Sequence, residues 1–199
     1  MYENIQLITA VVTPFDQAGQ IDYAALTKVI DHLLAHGTQG LVIAGTTGES
    51  PTLTHDEKLA VTEFIASYVG DRVLLIANAG TNDTAESVEM ARELSAISGI
   101  DAILAVTPYY NKPSQAGMIA HFSAIADAAT KPVMLYNIPG RSAVGLTVDS
   151  VVQLAQHPNI NAIKETTSAE FIGAEVELTQ HEDFAVYTGE DCLLYTSDA

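Results

Sequence analysis

One strand–helix–strand unit is predicted for residues 133–164, VMLYNIPGRSAVGLTVDSVVQLAQHPNINAIK. Its two ends, Val133–Asn137 and Ile160–Lys164, are nearly continuous apolar runs, which is typical of strands buried on both faces of a sheet. Between them, Val148–Gln156 has the pattern of a helix. Strands separated by a helix pair in parallel, so this stretch predicts one βα repeat of a parallel sheet.

The same alternation recurs along the whole chain, with a repeat of roughly 25–35 residues. Further strands are predicted at Ile5–Val12, Gly40–Ala44, Val73–Asn78, Ala102–Val106 and Ala185–Thr188. Further helices are predicted at Tyr23–His36, His55–Val69, Ala85–Ser98, Gln115–Ala129 and Ala169–Thr179. Local signals support these boundaries, because Thr54 and Glu57 fit a capping box, and glycines follow three helices at Gly37, Gly70 and Gly99.

Two architectures contain such repeats: a (β/α)8 barrel and an open doubly wound sheet. Polar, aromatic or glycine residues follow every predicted strand, and a barrel collects all of these loops around one site. An open sheet concentrates them at one switch point, and no G-x-G-x-x-G follows the first strand. The sequence favours an α/β fold of the TIM (β/α)8 type. It contains about seven βα units, so one more βα unit than this chain contains is needed to complete the barrel.

Composition excludes several classes of function. The 199 residues carry 8 Lys and Arg against 25 Asp and Glu, a formal net charge of −17. Nucleic-acid binding and attraction to anionic membranes both need a basic surface, so neither partner is expected. The apolar runs are too short to span a bilayer, and the N-terminus lacks the basic start of a secretory signal. We expect a cytoplasmic protein with one sizeable core.

The last eight residues, CLLYTSDA at 192–199, match what the end of a common sequencing adapter would encode. We therefore interpret residues 192–199 as a non-native, adapter-derived tail, and residues 1–191 as a partial (β/α)8 barrel catalytic domain. Cys192, the one cysteine, then belongs to the tail.

Lys164 is the most informative single residue, because it ends a buried strand. One interpretation is a buried ion pair, for which Glu165 is the nearest acid, although neighbouring strand residues point to opposite faces. The other is an amine nucleophile. Burial in a barrel would lower the pKa of its ammonium group, and the neutral amine could then form a Schiff base with a carbonyl compound.

Other loops offer complementary groups, each with a plainer alternative. Gly45-Thr46-Thr47-Gly48-Glu49 is either an ordinary turn or a cradle for a carboxylate or phosphate. Tyr136 is a packing residue or a proton relay. Arg141 is a solvated loop charge or a bidentate grip on a substrate carboxylate. The six histidines fall mainly on or beside helices, where we expect most of them to be surface residues, and no metal site is predicted.

Five motifs taken together resemble the dihydrodipicolinate synthase family, within the pyruvate-dependent class I aldolases. The resemblance covers Leu7 to Asp191. Its motifs are residues 9–15 (TAVVTPF), 45–50 (GTTGES), 106–113 (VTPYYNKP), 136–141 (YNIPGR) and 163–165 (IKE). The resemblance also implies that the family continues after Asp191 with strand 8 and a helical region.

The resemblance implies a role for each matching residue. Lys164 would form the Schiff base with pyruvate, while Thr46, Tyr136 and Tyr110 would relay protons, Tyr110 from a neighbouring subunit. Thr47 and Gly189 would line the pyruvate site, and Arg141 would bind the carboxylate of L-aspartate 4-semialdehyde. The product would be 4-hydroxy-tetrahydrodipicolinate, in diaminopimelate and lysine biosynthesis. The resemblance implies a homo-oligomer, a dimer or tetramer, and no cofactor beyond the covalent pyruvate imine.

Two other functions remain as alternatives. A lyase of N-acetylneuraminate or of a 2-keto-3-deoxy sugar acid would belong to the same superfamily, but Arg141 and the paired threonines fit the synthase better. An inactive fragment or binding module is the alternative from another class, although Lys164 and Tyr136 are both retained.

Many members of the family are inhibited by lysine at a subunit interface. The matching positions here are Ser50, His55, Lys58, Asn82, Glu86 and Tyr109.

Overall fold

The computed structural model describes residues 1–2 and 4–190, so the tail predicted at residues 192–199 lies outside the described residues. Strands and helices alternate along the described chain. The strands are β1 (Ile8–Ala10), β2 (Gly40–Ile43), β3 (Leu74–Asn78), β4 (Ala102–Val106), β5 (Val133–Asn137), β6 (Ile160–Glu165) and β7 (Ala185–Thr188). The helices are α1 (Tyr23–Ala35), α2 (His55–Val69), α3 (Thr84–Ala96), α4 (Gln115–Ala128), α5 (Pro139–Ser142), α6 (Val148–Ala155) and α7 (Ala169–Thr179).

Strand order in the sheet is chain order, from β1 to β7. This is the topology predicted for a (β/α)8 barrel, here with β7 as the last strand among the described residues. The described helices are all too short or too polar to cross a bilayer. The described chain divides into two compact units, whose boundary passes through α3 and β4.

The first unit comprises Met1–Asn78 and Arg92–Leu104. In it, β1 pairs with β2, β2 with β3 and β3 with β4, all in parallel. Leu41, Ile43 and Leu75 are completely buried, as expected for strands covered on both faces. The predicted capping box begins α2, because the Thr54 side chain accepts from the Glu57 N–H while the Glu57 side chain accepts from the Thr54 N–H.

The second unit comprises Ala79–Ala91 and the described residues from Ala105 onward. Here β5 pairs with β6 and β6 with β7, again in parallel, with a register shift between Val133 and Met134. Side chains of Ser114, Thr147 and Ser168 cap the N-termini of α4, α6 and α7. These caps fix where each helix begins after its loop.

The first strand is shorter than the predicted Ile5–Val12. Its late start is caused by the side chain of Gln39, whose Oε1 accepts hydrogen bonds from the backbone N–H groups of Gln6 (2.7 Å) and Leu7 (3.1 Å). These two donors are satisfied by a side chain, so regular strand pairing starts only at Ile8. An apolar run alone does not reveal such competition.

One interpretation of Arg141 was wrong, and one histidine departs from the surface position expected of most. Arg141 does not lie in an irregular loop, because Pro139 begins a four-residue helix, α5, that ends at Ala143 with a φ of 61°. His121 is the exception among the histidines, since only 3% of it is exposed. Its Nδ1 lies 2.8 Å from the Thr84 hydroxyl, and burial lowers its pKa to about 4, so it packs as a neutral ring.

Candidate active site

Lys164 lies near the C-terminal end of β6, between two tyrosines of the neighbouring strands. Parallel pairing sets Tyr136 of β5 opposite Lys164 on one side and Tyr187 of β7 opposite it on the other. The Lys164 Nζ is 4.5 Å from the centroid of the Tyr136 ring, and Tyr136 is only 5% exposed. Tyr136 therefore gives the amine both an aromatic face and a nearby phenol that can exchange protons.

Gly189 leaves the space that the Lys164 side chain occupies. A Cβ atom at residue 189 would lie 2.6 Å from Lys164 Cε and 2.9 Å from Thr166 Cγ2. Both distances are far below ordinary van der Waals contact. The backbone N–H of Gly189 donates a 2.7 Å hydrogen bond to the Glu165 carbonyl, which fixes the glycine against β6. Any larger residue at this position would displace the lysine.

We expect Gly189→Ala to lower the free energy of unfolding by about 1–3 kcal/mol, the usual cost of overpacking a filled site. Urea unfolding of the chain measures it. Gly173→Ala is the matched control, because a Cβ atom at residue 173 of α7 would meet nothing within 4 Å. The control should be neutral or stabilising, since alanine favours a helix. Equal destabilisation by both changes would contradict the steric account.

Glu165 lies next to Lys164 in the chain and is completely buried. Its Oε2 accepts from the Asn137 Nδ2 at 2.7 Å, and its Oε1 accepts from the backbone N–H groups of Thr166 (2.7 Å) and Thr167 (3.0 Å). Three donors stabilise the charged carboxylate. Glu165 therefore organises the loop through its own donors, while the amine of the neighbouring Lys164 lies against the Tyr136 ring.

Asn137 extends this network to the segment that carries Arg141. It is completely buried, and its Oδ1 accepts a 3.0 Å hydrogen bond from the Leu146 N–H. The Thr107 hydroxyl after β4 donates to Ser142 Oγ at 3.1 Å, next to Arg141. The segment that carries Arg141 is therefore held at the Ser142 hydroxyl and at the Leu146 N–H, while Arg141 itself is exposed. An exposed guanidinium on a fixed backbone is suited to bind a carboxylate.

Tyr110 has an unusual conformation in the same unit. Its φ is 71°, in the left-handed region that few residues with a side chain adopt, and 85% of it is exposed. Its N–H donates to the Ser142 carbonyl at 3.4 Å. The loop after β4 and the Arg141 segment are thus joined, and the tyrosine ring is directed into solvent.

Thr46 and Thr47 belong to the first unit, at the exposed tip of the loop between β2 and α2. The loop closes on itself through the Ser50 N–H, which donates to the Gly45 carbonyl at 3.2 Å. Gly48 is packed against backbone, since a Cβ atom there would lie 3.0 Å from the Val11 carbonyl oxygen. The loop is therefore a fixed turn with two exposed threonines.

The six positions matched to the lysine site fall into both units, which are described separately. In the first unit, Ser50 Oγ accepts from Asn78 at 3.1 Å, His55 lies 2.6 Å from Glu93, and Lys58 is 7% exposed within α2.

In the second unit, Asn82 Nδ2 donates to Asn111 Oδ1 at 3.3 Å. Glu86 Oε2 accepts from the Thr81 hydroxyl at 3.4 Å, and Tyr109 is half-buried.

The structure brings together Lys164, Tyr136 and Gly189, and it ties the segments of Arg141 and Tyr110 to each other. Sequence reasoning missed the two buried polar residues that organise them, Asn137 and Glu165. The sequence did contain a signal for Asn137 and Glu165, because each of them directly follows a predicted catalytic residue at the end of an apolar run. Amide and carboxyl groups at such positions need partners, and here they become each other's.

Comparison with known proteins gives one consistent family. The model of the Dihydrodipicolinate synthetase family matches residues 3–197. The curated 4-hydroxy-tetrahydrodipicolinate synthase of Leuconostoc citreum is 76% identical over 191 residues, which cover 96% of this chain and 66% of that protein. The one from Leuconostoc mesenteroides is 70% identical over 193 residues, covering 97% of this chain and 66% of that protein. This chain therefore spans just under two thirds of the length of these relatives.

Solved structures agree. The crystal structure of dihydrodipicolinate synthase from Bacillus anthracis superposes with a TM-score of 0.90 at 44% identity, covering 98% of this chain and 67% of that one. The synthase from Aquifex aeolicus superposes with the same score at 39% identity, covering 94% and 64%.

Proposed function

Because this chain belongs to the dihydrodipicolinate synthetase family, we propose that it provides the Schiff-base centre of a 4-hydroxy-tetrahydrodipicolinate synthase. The substrates are pyruvate and L-aspartate 4-semialdehyde. The observation that carries the proposal is the amine of Lys164 against the Tyr136 ring, in the space that Gly189 leaves open.

The chemistry begins with attack of the Lys164 amine on the carbonyl carbon of pyruvate, which expels water and forms an imine. Loss of a methyl proton gives an enamine, whose carbon adds to the aldehyde. The amino group of the semialdehyde then attacks the imine carbon and releases Lys164 as the ring closes. One water is lost overall. We assign Tyr136 to the exchange of protons in the imine-forming step, and the 4.5 Å between its ring centroid and the lysine nitrogen supports this assignment.

Arg141 is assigned to the semialdehyde carboxylate, because its guanidinium is exposed on a fixed backbone. Thr46 is assigned to the proton relay and Thr47 to the pyruvate carboxylate on the strength of the family motif alone. Two exposed hydroxyls on a rigid turn are consistent with these assignments.

The functional unit is proposed to be a homo-oligomer. Tyr110 supports this, since an 85% exposed aromatic ring held at a φ of 71° has no evident role within a single chain. In the proposed assembly it completes the proton relay of a neighbouring subunit.

Activity is to be tested on a chimera, here termed the completed chain. It joins residues 1–190 of this sequence to the C-terminal remainder of the Leuconostoc citreum relative. Treating it with pyruvate and borohydride should attach one reduced pyruvate, and peptide mapping should place it on Lys164. An adduct on another lysine, or no adduct, would overturn the proposal.

We expect the completed chain to be weakly inhibited by lysine or not inhibited at all. Lys58 places a positive charge where the ammonium groups of the inhibitor would dock, and like charges repel. Titrating lysine into the condensation assay measures this, with Lys58→Glu as the comparison that should gain sensitivity. Half-inhibition of the unmodified protein at sub-millimolar lysine would contradict the argument.

A further inference from the structure

Glu175 is a second buried acid behind the Schiff-base lysine. It lies in the middle of α7 and, like Glu165, is completely buried. Among the described residues, no N–H or O–H group donates to either of its carboxyl oxygens. The carboxyl group of Glu165 lies within hydrogen-bonding reach of that of Glu175. Two neighbouring carboxylates buried away from water cannot both be charged at modest cost.

Their surroundings decide which acid keeps the proton. Glu165 accepts from three donors, the Asn137 amide and the N–H groups of Thr166 and Thr167, so its charge is compensated. Glu175 has no such donors, and burial, followed by the charge of Glu165 and a hydrogen bond to it, raises the pKa of Glu175 to about 8. At neutral pH Glu175 is therefore the protonated acid.

Other titratable groups near α7 do not alter this assignment. Tyr187 of β7 is in register with Lys164 and shares its face of the sheet, and burial raises the pKa of its phenol, so it is neutral. The α6 helix packs against α7, and its buried residues are Ser150, Val151, Leu154 and Ala155, while its acid, Asp149, is exposed. On α7 itself, Glu170 and Glu177 are exposed.

We propose that Glu165 and Glu175 share one proton, and that this acid–carboxylate pair is a positioning device for both substrate-binding segments of the site. The proposal rests on the proposed function for what the segments do, but not for the shared proton itself. Glu175, held by its helix, donates to Glu165, and Glu165 holds Asn137. The two residues held this way directly follow Lys164 and Tyr136.

The hydrogen bond between Asn137 and Glu165 also affects the segment that carries Arg141. Asn137 can present its Oδ1 to the Leu146 N–H only while its Nδ2 is directed to Glu165. If Glu175 loses its proton, two charges face each other and Glu165 must move or turn. The Asn137 link to the Arg141 segment then loosens, together with the strand ends that carry Lys164 and Tyr136.

The shared proton can be tested without any activity. Nuclear magnetic resonance of this chain, labelled with ¹³C at the glutamate carboxyl carbons, should show one glutamate that titrates near pH 8. Glu175→Gln should remove that resonance, whereas Glu177→Gln, two residues away and exposed, should leave it in place. If every glutamate titrates in the ordinary range, or if the high value survives in Glu175→Gln, the shared proton is refuted, whatever the protein catalyses.

The positioning role is tested by the pH profile of the completed chain. Between pH 7 and 9 the unmodified protein should lose kcat by about tenfold from this group, as one proton with a pKa near 8 dissociates. In Glu175→Gln the amide donates at every pH, so this loss should disappear, while Glu177→Gln should keep it. Glu165→Gln should lower kcat and raise KM for the semialdehyde even at pH 7. Identical profiles for Glu175→Gln and Glu177→Gln would overturn the positioning role while leaving the Lys164 chemistry intact.

Discussion

Replacing Lys164 with alanine in the completed chain should lower kcat by roughly 10⁴-fold or more, the range typical of removing a covalent nucleophile. No other described group is placed to take over, because the pocket beside Tyr136 and Gly189 is shaped around this one side chain. The measurement is condensation of pyruvate with the semialdehyde, together with borohydride trapping, which should yield no adduct on residue 164.

Two companion variants separate chemistry from structure. Lys164→Arg keeps a cation that can lie against the Tyr136 ring, yet its guanidinium is not nucleophilic, so a folded but inactive protein is expected. Lys131→Ala removes a lysine far along the chain from β6 and should keep full activity. Substantial turnover in Lys164→Arg would show that the covalent route is not used.

The positions of these residues at strand ends could be predicted from the sequence, but their pairing could not. The runs Val133–Asn137 and Ile160–Lys164 locate β5 and β6 almost to the residue. Their register depends on a shift between Val133 and Met134 that sets Tyr136 opposite Lys164. The apolar pattern of the sequence does not predict this irregularity in strand pairing, because both strands are apolar on both faces.

The buried acids illustrate a second limit. Glu165 and Glu175 are ten positions apart in a sequence rich in acids, and most of those acids are solvated. Only the packing of α7 distinguishes Glu175 from Glu177, which is exposed on the same helix. The predicted helix Ala169–Thr179 was confirmed, yet which of its acids faces inward depends on a rotation of the helix that propensity and capping do not set.

The second large effect is expected at Arg141. Arg141→Ala should raise KM for the semialdehyde, lower kcat, or do both, because the substrate carboxylate loses a charge-assisted hydrogen bond. Such bonds contribute about 1.5–3 kcal/mol, which corresponds to roughly 10- to 150-fold in kcat/KM. Formation of the pyruvate imine on Lys164 should persist, since in the proposed mechanism the imine forms before the semialdehyde reacts and does not need this guanidinium.

The comparison variants for Arg141 make the result specific. Arg141→Lys keeps the charge but not the two-pronged geometry, so its kcat/KM should fall between those of the unmodified protein and Arg141→Ala. Arg92→Ala removes an exposed arginine on α3 and should have no effect on either substrate. If Arg141→Ala leaves the semialdehyde kinetics unchanged, the carboxylate is bound elsewhere. A sugar-acid lyase would then again be a possible function. The remaining residues of the site are assigned to pyruvate, which the synthase and the lyases share.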